Sequence, residues 1–236
     1  MKALNGRFLW VVMLLLSTGL ALAQNRNDYS GTYTVSGKNS DGSSYSGGMV
    51  IVAFGDGYRV TASIGTQTWR GIGTDIGDYL AVAFLAGANP LISIYKVSAT
   101  NTLEGFWQSY ADVKEGTEAA TLTGRTFSFV PTTAAPSTRV DYAGGYNISG
   151  KNPDASTYTA TMVLTAYGDG YRVAFVSGNE SWIGVATDIG NFLAVSYKSG
   201  DVPTVSIFER KANGSLMGYW QDYDNQKEGA ETAVKR

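Results

Sequence analysis

The sequence predicts an all-β protein: two tandem antiparallel up-and-down β-barrels of about eight strands each, after an N-terminal signal peptide. Three observations carry this. First, Asp56-Gly57-Tyr58-Arg59-Val60 returns as Asp169-Gly170-Tyr171-Arg172-Val173, inside a duplication in which 28–120 overlies 141–233 without a gap and 45 of 93 positions are identical. A repeat of that length marks two similar units, each large enough to bury a core. Second, apolar and polar residues mostly alternate from Tyr29 onward, the pattern of half-buried strands. Third, glycine (29) and tyrosine (15) are abundant while charged residues make up only 16% of the 236 residues. That composition suits coiled, turn-rich sheets.

The first segment reads as an export signal. Lys2 and Arg7 precede the apolar run Phe8 to Leu20, and Ala21-Leu22-Ala23 forms an A-x-A cleavage site before Gln24. The run is short for a membrane span, so residues 1–23 are assigned to a signal peptide and the mature protein to the periplasm or the extracellular space. Removing them leaves 16 basic and 20 acidic residues, a net charge of −4. An acidic exported chain is a poor partner for nucleic acid or an anionic membrane surface, so neither nucleic-acid binding nor membrane insertion after cleavage is expected.

In the first repeat (28–130) strands are expected near 31–38, 44–53, 57–64, 67–74, 78–85, 91–97, 102–109 and 117–123; adding 113 places those of the second (141–236). Asn39-Ser40-Asp41-Gly42 and Gly55-Asp56-Gly57 supply the tight turns. Connections this short favour a meander, and a meander of eight strands closes into a barrel that leaves no edge exposed. Gly71, Gly73, Gly105, Gly184 and Gly218 fall inside strands, where they suit sharp coiling with close backbone contacts. Residues 131–140 form a Pro/Thr-rich linker. Residues 24–130 and 137–236 are each expected to fold alone, while whether the two halves dock is left open.

Strand parity selects the interior. It places Tyr33, Val35, Tyr58, Val60, Trp69, Leu80, Val82, Leu103 and Trp107 inside the first barrel. The second set is Tyr146, Ile148, Tyr171, Val173, Trp182, Leu193, Val195, Leu216 and Trp220. The candidate ligand-binding residues are the aromatic members: Tyr33, Tyr58, Trp69 and Trp107, with Tyr146, Tyr171, Trp182 and Trp220. They either fill the barrels or line a pocket, since eight-stranded barrels do both. If pockets exist, Phe175 in place of Ala62 is expected to narrow the second. Arg59 and Arg172 point away from the core, to pair across strands with Asp75 or Asp188 or to bind an anion or a partner.

The chain has no histidine and no cysteine. That removes the usual general base, thiol nucleophiles and the commonest metal ligands. No catalytic residue, metal site or cofactor is assigned.

Gly31-Thr32-Tyr33 on the first strand, the eight-strand meander and Leu103-Glu104-Gly105-Phe106-Trp107 near its end resemble the small calycin barrels, the avidins and lipocalins. Those families carry Gly-x-Trp on the first strand; Tyr33 and Tyr146 hold that position here. The pattern Gly-x-Tyr-x-Val-Ser-Gly-Lys-Asn-x-Asp followed by Gly-Asp-Gly-Tyr-Arg-Val also resembles exported bacterial tandem-repeat proteins, some labelled fibronectin-binding. The resemblance implies a non-enzymatic exported binding protein for a small apolar molecule. The alternatives are a surface or matrix adhesin that binds a protein through the outer barrel walls, and a barrel enzyme that works without histidine.

Overall fold

The computed structural model describes residues 27–98, 101–112, 114–124 and 140–236. The signal peptide and all of the linker except Val140 lie outside them. Two closed barrels follow one another. The first comprises β1 (Gly31–Lys38), β2 (Ser44–Phe54), β3 (Gly57–Ile64), β4 (Gln67–Ile76), β5 (Tyr79–Ala86), β6 (Asn89–Val97), β7 (Thr102–Ser109) and β8 (Gly116–Thr123). The second comprises β9 (Gly144–Lys151), β10 (Thr157–Tyr167), β11 (Gly170–Ser177), β12 (Glu180–Ile189), β13 (Phe192–Ser199), β14 (Val202–Arg210), β15 (Leu216–Asp222) and β16 (Gly229–Lys235). Neighbours pair antiparallel. Val35↔Ala120 closes the first barrel and Ile148↔Ala233 the second. The strands expected for the first repeat match within two residues.

Parity holds for the cores. Tyr33, Val35, Tyr58, Val60, Leu80, Val82 and Leu103 are buried together, and so are their second-half equivalents. The chain seals one end of each barrel before its first strand begins. Tyr33 donates its hydroxyl to the Tyr29 carbonyl at 2.6 Å, and Tyr58 donates to Asn27 O at 2.5 Å. Tyr29 is fully buried, edge-on to Tyr58. Tyr146 and Tyr171 repeat this with the carbonyls of Tyr142 and Val140.

A third apolar core lies between the barrels. Ile72, Ile76, Ala81, Ala83, Ile92 and Ile94 leave the first barrel's outer wall and meet Val185, Ala194, Val205 and Ile207 of the second. The halves are therefore docked through a dry face. The expectation that each folds alone does not account for it: each wall buries apolar side chains that the other must cover.

The duplicated Asp-Gly-Tyr-Arg-Val stretch sits where the two halves join. The Arg59 guanidinium lies 3.6 Å from the Phe54 ring centroid and 4.7 Å from that of Tyr223, and its Nε donates to Tyr223 O at 2.9 Å. Arg172 lies over Tyr167 and Tyr110 and donates to Tyr110 O through Nε at 3.3 Å and Nη2 at 3.1 Å. The expected pairing with Asp75 and Asp188 is thus replaced by a reach to the opposite barrel, where a planar guanidinium stacks and donates at once. The glycines of the motif allow close approach. A Cβ on Gly57 would sit 2.2 Å from Gln221 Oε1, and one on Gly170 would sit 2.1 Å from Gln108 Oε1. Gly55, at φ 57°, packs its backbone against Gln226 O.

Candidate functional site

The sealed ends lie at the chain lead and the β2–β3 hairpin. The opposite ends carry the β1–β2, β3–β4, β5–β6 and β7–β8 connections, and each opens into an aromatic cup. In the first barrel Trp69 and Trp107 line the cup with Tyr45, Phe84, Leu91 and Glu118. In the second, Trp182 and Trp220 do so with Tyr158, Tyr197, Thr204 and Glu231. Four of the eight candidate residues, the tryptophans, are therefore brought together in pairs. The four tyrosines are not. Tyr33, Tyr58, Tyr146 and Tyr171 are spent at the sealed ends, because their hydroxyls satisfy the carbonyls of the chain lead; Tyr146 also borders a depression there beside Arg210.

Trp107 and Trp220 are half-buried rather than central. Each lies flat over a glycine: a Cβ on Gly116 or Gly229 would come within 2.3 Å of the indole. Trp107→Ala will therefore cost less than the roughly 3–5 kcal/mol of a fully buried ring.

The residues that give the cups their chemistry are Glu118 and Glu231. They are identical in the two halves and share inward parity with Ala120 and Ala233, so alternation along β8 and β16 was the signal for them. Glu118 accepts the hydroxyl of Tyr45 at 2.6 Å on Oε2 and that of Tyr95 on Oε1. Glu231 accepts Tyr158 at 2.7 Å on Oε1 and Ser206 at 3.4 Å on Oε2. Burial disfavours the carboxylate form, while the hydroxyls partly offset that. The Glu118 carboxyl is held above its usual range, and that of Glu231 rises from 4.5 to about 7. Burial, then the adjacent carboxylate, pushes Tyr45 and Tyr158 up as well.

This has a consequence for stability. The folded protein keeps its Glu231 proton up to about pH 7, whereas the unfolded chain releases it near 4.5. The stabilisation is complete below the unfolded value and is lost as pH rises through the folded one. From pH 4.5 to 7 the unfolding free energy should fall by about 3 kcal/mol on this account. Glu231→Gln should remove most of that slope and be the more stable protein at pH 8. Denaturant titrations of both proteins at several pH values check it; parallel pH profiles would place the Glu231 carboxyl in contact with water.

The cups differ in size. The first encloses about 40 Å³ and the second about 220 Å³. The expected narrowing by Phe175 is thus reversed. Its ring leans on Tyr197 with centroids 4.7 Å apart. Meanwhile Ile64 and Leu91 of the first cup give way to the smaller, polar Ser177 and Thr204.

No family model matches the chain, and no curated protein matches it. A solved structure, a DUF3598-family protein of unknown function from Nostoc punctiforme, aligns at 12% identity over 88% of this chain and 96% of its own, with a TM-score of 0.26. A likeness that low says nothing of activity. What characterises this chain is its own geometry: two eight-stranded barrels docked wall to wall, each ending in an aromatic cup around one buried carboxyl.

Proposed function

We propose that this is an exported, non-enzymatic binding protein that holds a small, largely apolar molecule at a barrel mouth, in the manner of calycin-like barrels. The observation that carries this reading is the second cup. It is a concave, ring-lined space with a few convergent polar groups, the usual make-up of a ligand site. Its sealed far end makes it a cup rather than a channel. The apolar run Phe8 to Leu20 and the A-x-A site before Gln24 support an exported setting for such binding.

Native mass spectrometry of the protein purified from its source without denaturation tests this. The expected result is a co-purified small molecule whose re-addition quenches tryptophan fluorescence and raises the melting temperature with ligand excess. A bare protein mass, no response to a panel of apolar metabolites, and capture of an envelope or matrix protein by the intact chain would transfer the reading to an adhesin.

A further inference from the structure

We propose that the second barrel's mouth is a site for a small organic cation, an amine or quaternary ammonium carried on an apolar or aromatic body, and that the first barrel's mouth is its closed counterpart. The proposal rests on the binding reading above and names the ligand class for that same site.

The residues that change between two otherwise repeated cups point to it. In the first barrel Tyr95 donates to Glu118, so both carboxyl oxygens hold a tyrosine hydroxyl. The equivalent of Tyr95 is Phe208, which has no hydroxyl to give. Glu231 keeps one strong tyrosine partner, and its Oε2 receives only the 3.4 Å contact from Ser206. That oxygen retains capacity for a donor. Leu91 becomes Thr204, which is 2% exposed and whose Oγ1 has no hydrogen-bond partner. A buried hydroxyl left unpaired is costly, and such groups ordinarily have a partner. Glu231 and Thr204 border the same cavity.

The rest of the lining fixes the sign of the charge. Ser109 of the first barrel becomes Asp222, which lines the cup while accepting backbone N–H groups of Asp224 and Asn225 at 2.8 Å. No lysine or arginine lines the cup. Two acidic side chains without a basic one repel an anion and attract a cation. Trp182, Trp220 and Tyr197 add ring faces, which favour a cation over a neutral body. At about 220 Å³ the cup is smaller than the roughly 300–1,000 Å³ of drug-sized sites. It suits a ligand on the scale of one bicyclic amine.

Three indole probes of nearly equal size separate charge from shape: tryptamine (cation), tryptophol (neutral) and indole-3-acetate (anion). Calorimetric titration of the full chain should give one tryptamine site per chain, at least about tenfold tighter than tryptophol, the discrimination expected of a charge-assisted contact, and no heat from the acetate. Glu231→Gln should abolish the preference for the amine and keep tryptophol binding, whereas Glu118→Gln should leave tryptamine binding unchanged. Thr204→Leu, which copies the first cup, should remove binding of both tryptamine and tryptophol while the melting curve stays cooperative. Tryptamine affinity should rise from pH 6 to pH 8 as Glu231 ionises, since its value lies at about 7. The titratable groups facing Glu231 across the cup are Tyr158 on β10, Tyr197 on β13 and Asp222 on β15; β9, β11, β12 and β14 place none in the lining. Equal affinity for tryptamine and tryptophol would overturn the cation assignment and leave the binding reading standing. Two sites per chain, or loss of binding in Glu118→Gln, would overturn the assignment to the second mouth. Heat from none of the three overturns the cation assignment, and a bare native mass alongside it would remove the binding reading too.

Discussion

Expressed apart, residues 27–124 and 140–236 will each lose most of their stability and self-associate, and mixing them will restore a one-to-one complex. The reason is the dry face between the barrels. Alone, the first half would expose Ile72, Ile76, Ile92 and Ile94, all at 5% exposure or less in the intact protein. Uncovering a fully buried side chain of this kind costs about 1.5–3 kcal/mol, so each half should lose on the order of 5–10 kcal/mol. That approaches the total stability of an ordinary domain, about 5–15 kcal/mol. The lost wall is also a sheet face apolar enough to drive association. Thermal melts and sedimentation of each half, separately and mixed, decide it. Two monomeric halves that melt cooperatively within a few degrees of the full chain would show that the shared face contributes little.

The second large effect belongs to Gly105 and Gly218. A Cβ on either would sit 1.9 Å from a backbone oxygen, Ile94 O in one barrel and Ile207 O in the other. That oxygen belongs to a paired strand, so it cannot retreat without opening the β6–β7 or β14–β15 ladder. Gly105→Ala and Gly218→Ala should each cost about 3 kcal/mol, the upper end for overpacking. Gly73→Ala is the control. Its Cβ would meet Ala81 O, Leu80 and Val82 at 3.4 Å, ordinary contact, so it should stay within about 1 kcal/mol of wild type. Chemical denaturation of the three variants reads this directly. A Gly105→Ala protein as stable as Gly73→Ala would mean that the β6–β7 ladder is looser than the clash requires.

Gly105 and Gly218 were legible in the sequence, because a glycine within a strand often marks a close backbone contact; Gly73 carried the same expectation and makes only ordinary contact, at 3.4 Å. Strand positions and cores were legible for a related reason: period-two alternation and glycine turns act locally, and closure into a barrel follows from short connections. The face between the barrels left a trace that alternation alone does not interpret. Leu80-Ala81-Val82-Ala83-Phe84 and Leu91-Ile92-Ser93-Ile94-Tyr95 are apolar on both faces, the mark of strands covered on both sides. What covered the outer face could not be read, since either another chain or the other half would produce the same pattern. Glu118 and Glu231 obeyed inward parity but lay beside turn residues, where a charge is ordinarily solvated. The tyrosines misled because parity assigns a face and not a depth: Tyr33 and Trp107 both point inward, at opposite ends of the barrel. Cup volume was the least legible property, because it depends on how rings such as Phe175 and Tyr197 lean on each other.

The reciprocal clasps have a further meaning. Arg59 reaches Tyr223 while Arg172 reaches Tyr110; Gln221 donates to Phe54 O while Gln108 donates to Tyr167 O. Residue i meets j, and the copy of j meets the copy of i. This is the isologous contact of a two-fold homodimer, here with both subunits on one polypeptide. A true homodimer must show every substitution twice, so its two mouths stay identical. Covalent fusion lifts that restriction while the contact surface keeps its symmetry. The two mouths differ: Phe208 and Thr204 stand in the open one where Tyr95 and Leu91 stand in the narrow one, and Tyr197 stands where Phe84 does. Asp222, at the rim of the open mouth, directly precedes Tyr223, whose carbonyl Arg59 holds. Each barrel thus braces the other through the same contact, while the two copies differ at their mouths.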